Sequence, residues 1–194
     1  MASMPPLTLD PTTTALVLID LQKGIAGTPT VPHSAADVVA RAAELARRFR
    51  ERGATVILVR VDPGRDGQLM PSPLADRPRP RMQLPADFAE LVPELGRADT
   101  DVVVTKHQPN AFYATDLEVQ LARRGIRTLV LGGISTNIGV EATARAAHER
   151  GYEQVFLEDV MAARDAELHA VTTGKFFPTI GRVRTASDVI AAIG

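Results

Sequence analysis

The sequence has no cysteine and no tryptophan, and aromatic residues make up only 4% of its 194 positions. A chain without cysteine forms no disulfide bond and no thiolate metal site, and it offers no thiol nucleophile for catalysis. Neither sign of charge is in excess, because 22 basic residues stand against 23 acidic ones. Such a chain lacks the field that attracts nucleic acid or anionic lipid, so we expect neither as a partner.

Long hydrophobic runs are also absent from the sequence. No stretch approaches the length of a transmembrane helix, and the segment MASMPPLTLDPTTT shows no basic start followed by an apolar run. We therefore expect a cytoplasmic protein without membrane association. Histidines occur at four separated positions, with none of the HxH, HxxH or HExxH spacings that are typical of metal sites. This spacing predicts that no metal is bound.

The residues that are present are typical of a globular chain, with 45% hydrophobic and 23% charged residues. The length suits one domain over residues 1–194. Short apolar runs such as ALVLID, ATVILVRV and RTLVLGG alternate with amphipathic helical patterns such as ADVVARAAELARRFRERG. This alternation is typical of βαβ units, and it predicts an α/β fold with a mainly parallel sheet and helices on both faces.

The stretch LGGISTNIGVEATARAA, residues 131 to 147, predicts a buried strand, a tight polar turn and a helix. Ser135, Thr136 and Asn137 in the turn are all favourable residues at a helix N-terminus. Such a junction directs free backbone N–H groups and the positive end of the helix dipole at whatever lies in front of it. It suits an oxyanion or an anionic substrate, and the alternative is an ordinary connection of the kind that every α/β protein repeats.

Polar residues at the ends of the predicted strands are the next candidates, because ligands bind beyond the carboxyl ends of parallel strands. Asp20 ends the first strand, in LVLIDLQKG, and Lys106 ends the third, in DVVVTKHQ. A carboxylate and an ammonium group on neighbouring strand ends make a catalytic dyad. The alternatives are a structural salt bridge or two unrelated surface charges.

Three motifs together resemble the isochorismatase-like hydrolases, also called the cysteine hydrolase superfamily. They are LVLIDLQ with Asp20, VVVTK with Lys106, and GGISTNIGVEATARAAHERGY, and the likeness extends from about residue 14 to the C-terminus. The resemblance implies a three-layer α/β/α domain with a Rossmann-like six-stranded sheet. It also implies a triad of Asp, Lys and Cys, in which Asp20 and Lys106 are retained and Gly139 occupies the position of the cysteine.

Glycine at position 139 argues against the amide hydrolases of this family, which form a thioester through the cysteine. True isochorismatases also have glycine there and cleave a vinyl ether, in which the family aspartate protonates the enolpyruvyl carbon. The resemblance therefore implies a hydrolase of a small polar metabolite, with Asp20 as general acid or base and Lys106 as its electrostatic partner. The alternatives are a binding protein without turnover and an amidase that uses Ser135.

One question about Asp20 stays open at this point. A lysine close to the carboxyl group lowers its pKa, whereas burial at the end of an apolar strand raises it, and a general acid needs the raised value. Ser135 and Thr136 have no evident histidine partner in the sequence, which favours helix capping over a nucleophilic role.

The candidate substrate-binding residues come from four segments. The resemblance implies a cis peptide bond between Ile134 and Ser135 that turns backbone N–H groups toward the pocket. Phe112 and Tyr113 are predicted to line the pocket, with packing of a helix entry on the core as the alternative. The full set of candidates is Ile134, Ser135, Asn137, Phe112, Tyr113, Gln22 and Arg60. Arg60 stands for a set of possible carboxylate ligands among which the sequence does not choose, namely Arg60, Arg65, Gln68, Arg77, Arg79 and Arg81.

We predict neither a catalytic metal nor a cofactor. Nicotinamidases build a metal site from an aspartate and two histidines near the second strand, and only Asp62 is found there. The resemblance also implies a homodimer or a homotetramer, with a small molecule as the substrate.

Overall fold

A sheet of six parallel strands forms the centre of the fold in the computed structural model, which describes residues 6–76 and 84–194. The strands are β1 (Thr14–Ile19), β2 (Thr55–Val61), β3 (Val102–Lys106), β4 (Thr128–Ile134), β5 (Glu153–Ala162) and β6 (Arg182–Arg184). Their order across the sheet is β3-β2-β1-β4-β5-β6. The direction of winding reverses between β1 and β4, and ligands in open α/β sheets bind at such a point.

Helices cover both faces of this sheet, which explains why its central strands are apolar on both sides. The helices are α1 (Lys23–Ala26), α2 (Ala35–Glu51), α3 (Leu117–Arg123), α4 (Glu141–Glu149), α5 (Ala166–Val171) and α6 (Ala186–Ala192). One core contains α2 and α6, and a second core on the opposite face contains α3 and α4. The α/β class with three layers, predicted from the sequence, is confirmed.

The longest helix, α2, illustrates how the sequence sets a local structure. Ser34 caps its N-terminus by accepting a hydrogen bond from the backbone N–H of Asp37 at 3.1 Å, a contact that stabilises a helix by about 1 kcal/mol. Val38, Leu45 and Phe49 form its fully buried face. In the part of the chain that the structure describes, no helix is both long and apolar enough to cross a membrane.

Several short turns interrupt the regular elements. Single 3₁₀ turns occur at Arg65–Gly67, Pro93–Leu95 and Phe177–Thr179, and π-helical turns occur at Thr136–Val140 and Thr172–Phe176. Strand β5 bulges between Phe156 and Met161, which are the partners of Leu131 and Gly133 in β4. The predicted candidates Arg77, Arg79 and Arg81 lie outside the described residues.

Candidate active site

A buried ion pair joins Asp20, directly after β1, to Lys106, the last residue of β3. The ammonium Nζ donates to Asp20 Oδ2 at 2.8 Å, and the two residues are only 5% and 2% exposed. Because β2 lies between β1 and β3, the long lysine side chain reaches across one strand to make this contact. The other carboxylate oxygen, Oδ1, is buried and accepts no hydrogen bond from the described residues.

The backbone of Asp20 holds its carboxyl group at the sheet edge. The residue has a φ of 57°, in the left-handed region that is uncommon for residues other than glycine, and its N–H donates to the carbonyl of Val59 at 2.8 Å. Such a conformation costs about 1 kcal/mol or more and occurs most often at functional sites.

Burial decides the protonation of this carboxyl group. Desolvation raises the pKa of Asp20 from 3.8 to about 6, although the charge and the hydrogen bond of Lys106 act in the opposite direction. The effect of burial on the pKa is therefore larger than that of Lys106, a ranking that the sequence alone left open. A protonated fraction of Asp20 persists near neutral pH, as a general acid requires.

Gly139 faces the ion pair from the turn after β4. A Cβ atom at this position would lie 3.0 Å from Asp20 Oδ2, 3.1 Å from Ile19 Cγ2 and 3.6 Å from Lys106 Nζ. Because ordinary contacts begin at about 3.4 Å, a side chain at this position would require the Asp20 carboxylate to shift by a few tenths of an ångström. The position that the resemblance assigns to the family cysteine is therefore adjacent to both charged groups.

Three predicted binding residues share that turn. Ile134 is the buried last residue of β4, and its peptide bond to Ser135 is cis, as the resemblance implies. Ser135 and Asn137 are half-buried. The carbonyl of Ser135 accepts from the N–H groups of Ile138 and Val140 at 3.1 and 3.3 Å. The turn thus brings all three residues to the same edge as Asp20.

Gln22 lies close to Asp20 in sequence, but its amide is already engaged. Nε2 donates to the carbonyls of Val61 and Phe88 at 2.9 and 2.8 Å, and Oε1 accepts from the N–H of Val61 at 2.7 Å. The side chain is fully buried. Gln22 therefore links the end of β1 to the end of β2 and to the segment around Phe88, and a substrate contact would require these bonds to break.

Arg60 is not brought to the ion pair. It is in register with Thr105, whose hydroxyl accepts from Arg60 Nε at 3.0 Å, and it therefore shares a face of the sheet with Thr105. Lys106 follows Thr105 and points to the other face, because side chains alternate along a strand. Arg60 instead lines a separate cavity of about 530 Å³ with Val92 and Arg97.

Phe112 packs in the core and not at the ion pair, whereas the role of Tyr113 stays a prediction. Phe112 is buried, with its ring centre 5.9 Å from that of Tyr152 and 4.7 Å from the guanidinium of Arg150. Tyr152 directly precedes β5, at the opposite end of the strands from Asp20. Tyr113 is 66% exposed. Phe112 therefore packs on the core, which is the alternative given for it in the prediction from the sequence.

A polar cluster beside the turn was missed from the sequence. Thr136 Oγ1 lies 2.9 Å from His169 Nδ1, and Glu158 Oε1 lies 3.1 Å from Nε2 of both His169 and His33. Thr136 therefore has a histidine partner, and the prediction that it lacks one is wrong. Burial raises the pKa of Glu158, but the hydrogen bonds of His169 and His33 outweigh it, and the pKa is below its ordinary value. Because His33 and Glu158 are 125 residues apart, spacing could not reveal this contact.

Comparison with known proteins agrees with this architecture. Residues 14–188 match the isochorismatase domain family. The isochorismatase family protein YecD of Escherichia coli O157:H7 is 46% identical over 96% of this chain and its own whole length, and YwoC of Bacillus subtilis is 44% identical over 96% of this chain and 97% of its own.

A solved structure of an isochorismatase family protein from Burkholderia thailandensis superimposes with a TM-score of 0.91 at 46% identity. The match covers 97% of this chain and 98% of that one. With glycine at position 139 and no cysteine anywhere in its sequence, the chain belongs to the isochorismatase family of hydrolases.

Proposed function

We propose that this hydrolase cleaves a small polar metabolite by acid/base chemistry that needs no cysteine, with a vinyl ether of the isochorismate type as substrate. Asp20 donates the proton, and Lys106 is its electrostatic partner. The observation that carries the proposal is the buried contact of 2.8 Å between Asp20 and Lys106 beside Gly139, together with the raised pKa of Asp20.

The geometry distinguishes the two carboxyl oxygens. Oδ2 accepts from the ammonium of Lys106, so the acidic proton resides on Oδ1, which accepts no hydrogen bond from the described residues. Oδ1 is therefore the atom that donates to substrate. Because Oδ1 is also screened from solvent, the residues around the pair must move when a substrate binds.

The proposed reaction balances without a covalent intermediate. Asp20 transfers its proton to the terminal carbon of the enolpyruvyl group, which becomes a methyl group, and the ether carbon becomes an oxocarbenium ion. Water adds to that carbon, and the hemiketal collapses to pyruvate and the ring alcohol, with one proton returned to Asp20. The positive charge of Lys106 suits the substrate carboxylate, and Ile134, Ser135 and Asn137 form the adjacent wall.

Pyruvate release from isochorismate tests the proposal. We expect turnover by the purified protein and loss of turnover in Asp20→Asn. Asp99→Asn, which alters an exposed aspartate distant from Asp20 in the sequence, should leave turnover unchanged. In D₂O the pyruvate methyl group should gain one deuterium, because the transferred proton derives from solvent through Asp20. Turnover by Asp20→Asn at the original rate would contradict the assigned role.

The same assay separates the alternative function. Saturable binding of isochorismate, measured by calorimetry, without any pyruvate at high protein concentration would indicate a binding protein that retained the pocket and lost catalysis. If the protein shows no binding and no turnover, this substrate class is excluded.

We also propose that the chain forms a homodimer or a homotetramer. Supporting this, three exposed apolar side chains occur on contacting elements, with Ile138 in the turn after β4 and Leu168 and Val171 on α5. Light scattering on the purified protein is the test, and a mass of one chain at micromolar concentration would contradict it.

A further inference from the structure

Three side chains from three separate elements meet at a carboxylate oxygen. His33 precedes α2, Glu158 lies in the bulge of β5, and His169 is on α5. One possible ligand atom of each residue, a ring nitrogen or a carboxylate oxygen, lies within 4.8 Å of those of the other two. Two imidazoles and one carboxylate are a ligand set that zinc and related ions favour.

The distances from Glu158 to each histidine suit a metal ion, as the chemistry of the side chains does. Each histidine Nε2 is 3.1 Å from Glu158 Oε1. In a tetrahedral zinc site with bonds of about 2.0 Å, neighbouring ligand atoms are roughly 3.3 Å apart. Small rotations of these side chains would place all three ligand atoms around one ion.

The second nitrogen of His169 supports the same interpretation. Its Nδ1 is 2.9 Å from Thr136 Oγ1. When Nδ1 donates its proton to this hydroxyl, the neutral ring presents a lone pair at Nε2 to the Glu158 carboxylate, and a cation between them removes the repulsion. Histidines that bind metals usually donate their other ring N–H to such an acceptor.

Exposure leaves the cluster open to an ion from solvent. The side chain of His169 is 3% exposed, whereas those of His33 and Glu158 are 24% and 37% exposed. The buried end is therefore fixed by Thr136, and the opposite side can admit an ion with a water molecule as the fourth ligand.

We propose that His33, Glu158 and His169 bind one divalent transition-metal ion of the zinc type. This site is separate from Asp62, where the family resemblance would place a metal, and it is independent of the proposed vinyl-ether chemistry. The ion joins β5, α5 and the loop before α2, and through His169 it holds Thr136 in the turn that carries Gly139.

Zn²⁺ titration of tag-free, chelator-treated protein tests the site by calorimetry. We expect one ion per chain, and a rise in the unfolding temperature because the ion binds only the folded state. His33→Gln and Glu158→Gln should each weaken binding by about 100-fold, since even outer contacts of metal ligands contribute 10- to 100-fold. His148→Gln, which alters an exposed histidine at the end of α4, should leave the affinity unchanged.

Co²⁺ provides a second readout, because its visible absorption reports tetrahedral coordination by the protein. We expect the spectrum in the wild type and in His148→Gln and its loss in His33→Gln, whose circular dichroism should show an intact fold because His33 is half-buried in a loop. Absence of Zn²⁺ binding would overturn the proposal, and would leave a network in which Thr136 donates to His169 and Nε2–H donates to Glu158. Binding that His33→Gln and Glu158→Gln do not weaken would overturn it as well.

Discussion

Lys106 Nζ contacts Asp20 Oδ2 at 2.8 Å from a strand that is not adjacent to β1, and both side chains are almost fully buried. The lysine lowers the pKa of the carboxyl group, and burial raises it to a greater extent. Because the lysine and the burial act on the pKa of Asp20 independently, a substitution of Lys106 followed by a pH profile separates the two effects.

The pH profile is the first prediction. If Asp20 donates a proton, only its protonated form is active, so kcat/KM, which reports the pKa of the free enzyme, should fall about tenfold for each pH unit above the pKa of about 6. Steady-state rates from pH 5 to 9 measure this. A rate that rises with pH and remains high through neutrality would instead identify a base.

Removing the lysine charge should move that profile in a known direction. In Lys106→Met the carboxyl group stays buried and loses its cation, so its pKa increases and the falling limb shifts to higher pH. The maximal kcat/KM should also decrease, since a substrate carboxylate loses its partner. Lys23→Met is the matched control, because Lys23 forms exposed ion pairs with Asp87 and Glu90 and should leave the profile in place.

Much of this site could be predicted from the sequence because strand ends carry a strong signal. The apolar runs before Asp20, Lys106 and the turn at Ser135 locate three strand ends, and parallel strands bring those ends to one edge. The register between strands is not contained in such runs. A shift of one residue in the register moves a side chain to the other face of the sheet. The pairing of Arg60 with Thr105 therefore places Arg60 on the face opposite to Lys106.

Side chains that meet from distant segments form the other class of missed contact. His33, Glu158 and His169 share no local pattern, and the bulge in β5 that places Glu158 breaks the regular register. The sequence predicts that the amide of Gln22 binds substrate, whereas its three hydrogen bonds to backbone groups depend on tertiary packing.

Gly139→Ala tests the close approach between the turn and the ion pair. The added Cβ would lie 3.0 Å from Asp20 Oδ2, so the carboxylate must shift by a few tenths of an ångström. We expect kcat to fall about tenfold, equivalent to roughly 1.4 kcal/mol in the barrier. The free energy of unfolding should change by less than about 1 kcal/mol, because alanine favours the helical turn.

Gly174→Ala provides the control for that substitution. Gly174 lies in the other π-helical turn, Thr172–Phe176, and an added Cβ meets nothing within 4 Å. Its kcat should equal that of the wild type. If kcat fell equally in both variants, the cause would be alanine in a π-helical turn and not the contact with Asp20.

Gly133→Ala should be far more damaging, because two constraints coincide at this residue in β4. Its φ is 133°, and an added Cβ would overlap the Ile19 carbonyl oxygen and lie 2.7 Å from the Ile19 nitrogen. We expect a loss of more than about 4 kcal/mol in the free energy of unfolding. Gly53→Ala, with a φ of 69° and an open surrounding, should lose only about 1 kcal/mol by denaturant unfolding. Similar losses in the two variants would contradict the steric argument.

Gln22→Leu distinguishes a structural amide from one that binds substrate. The substitution keeps the volume and leaves the buried N–H of Val61 without its acceptor, and each such group costs about 1–3 kcal/mol. If the amide is structural, the free energy of unfolding should fall by about 3 kcal/mol, with KM unchanged in the fraction that stays folded. Gln120→Leu, on the surface of α3, should alter neither quantity by more than about 0.5 kcal/mol. A raised KM in Gln22→Leu with full stability would instead assign Gln22 to the substrate, because only a ligand contact separates affinity from folding in this way.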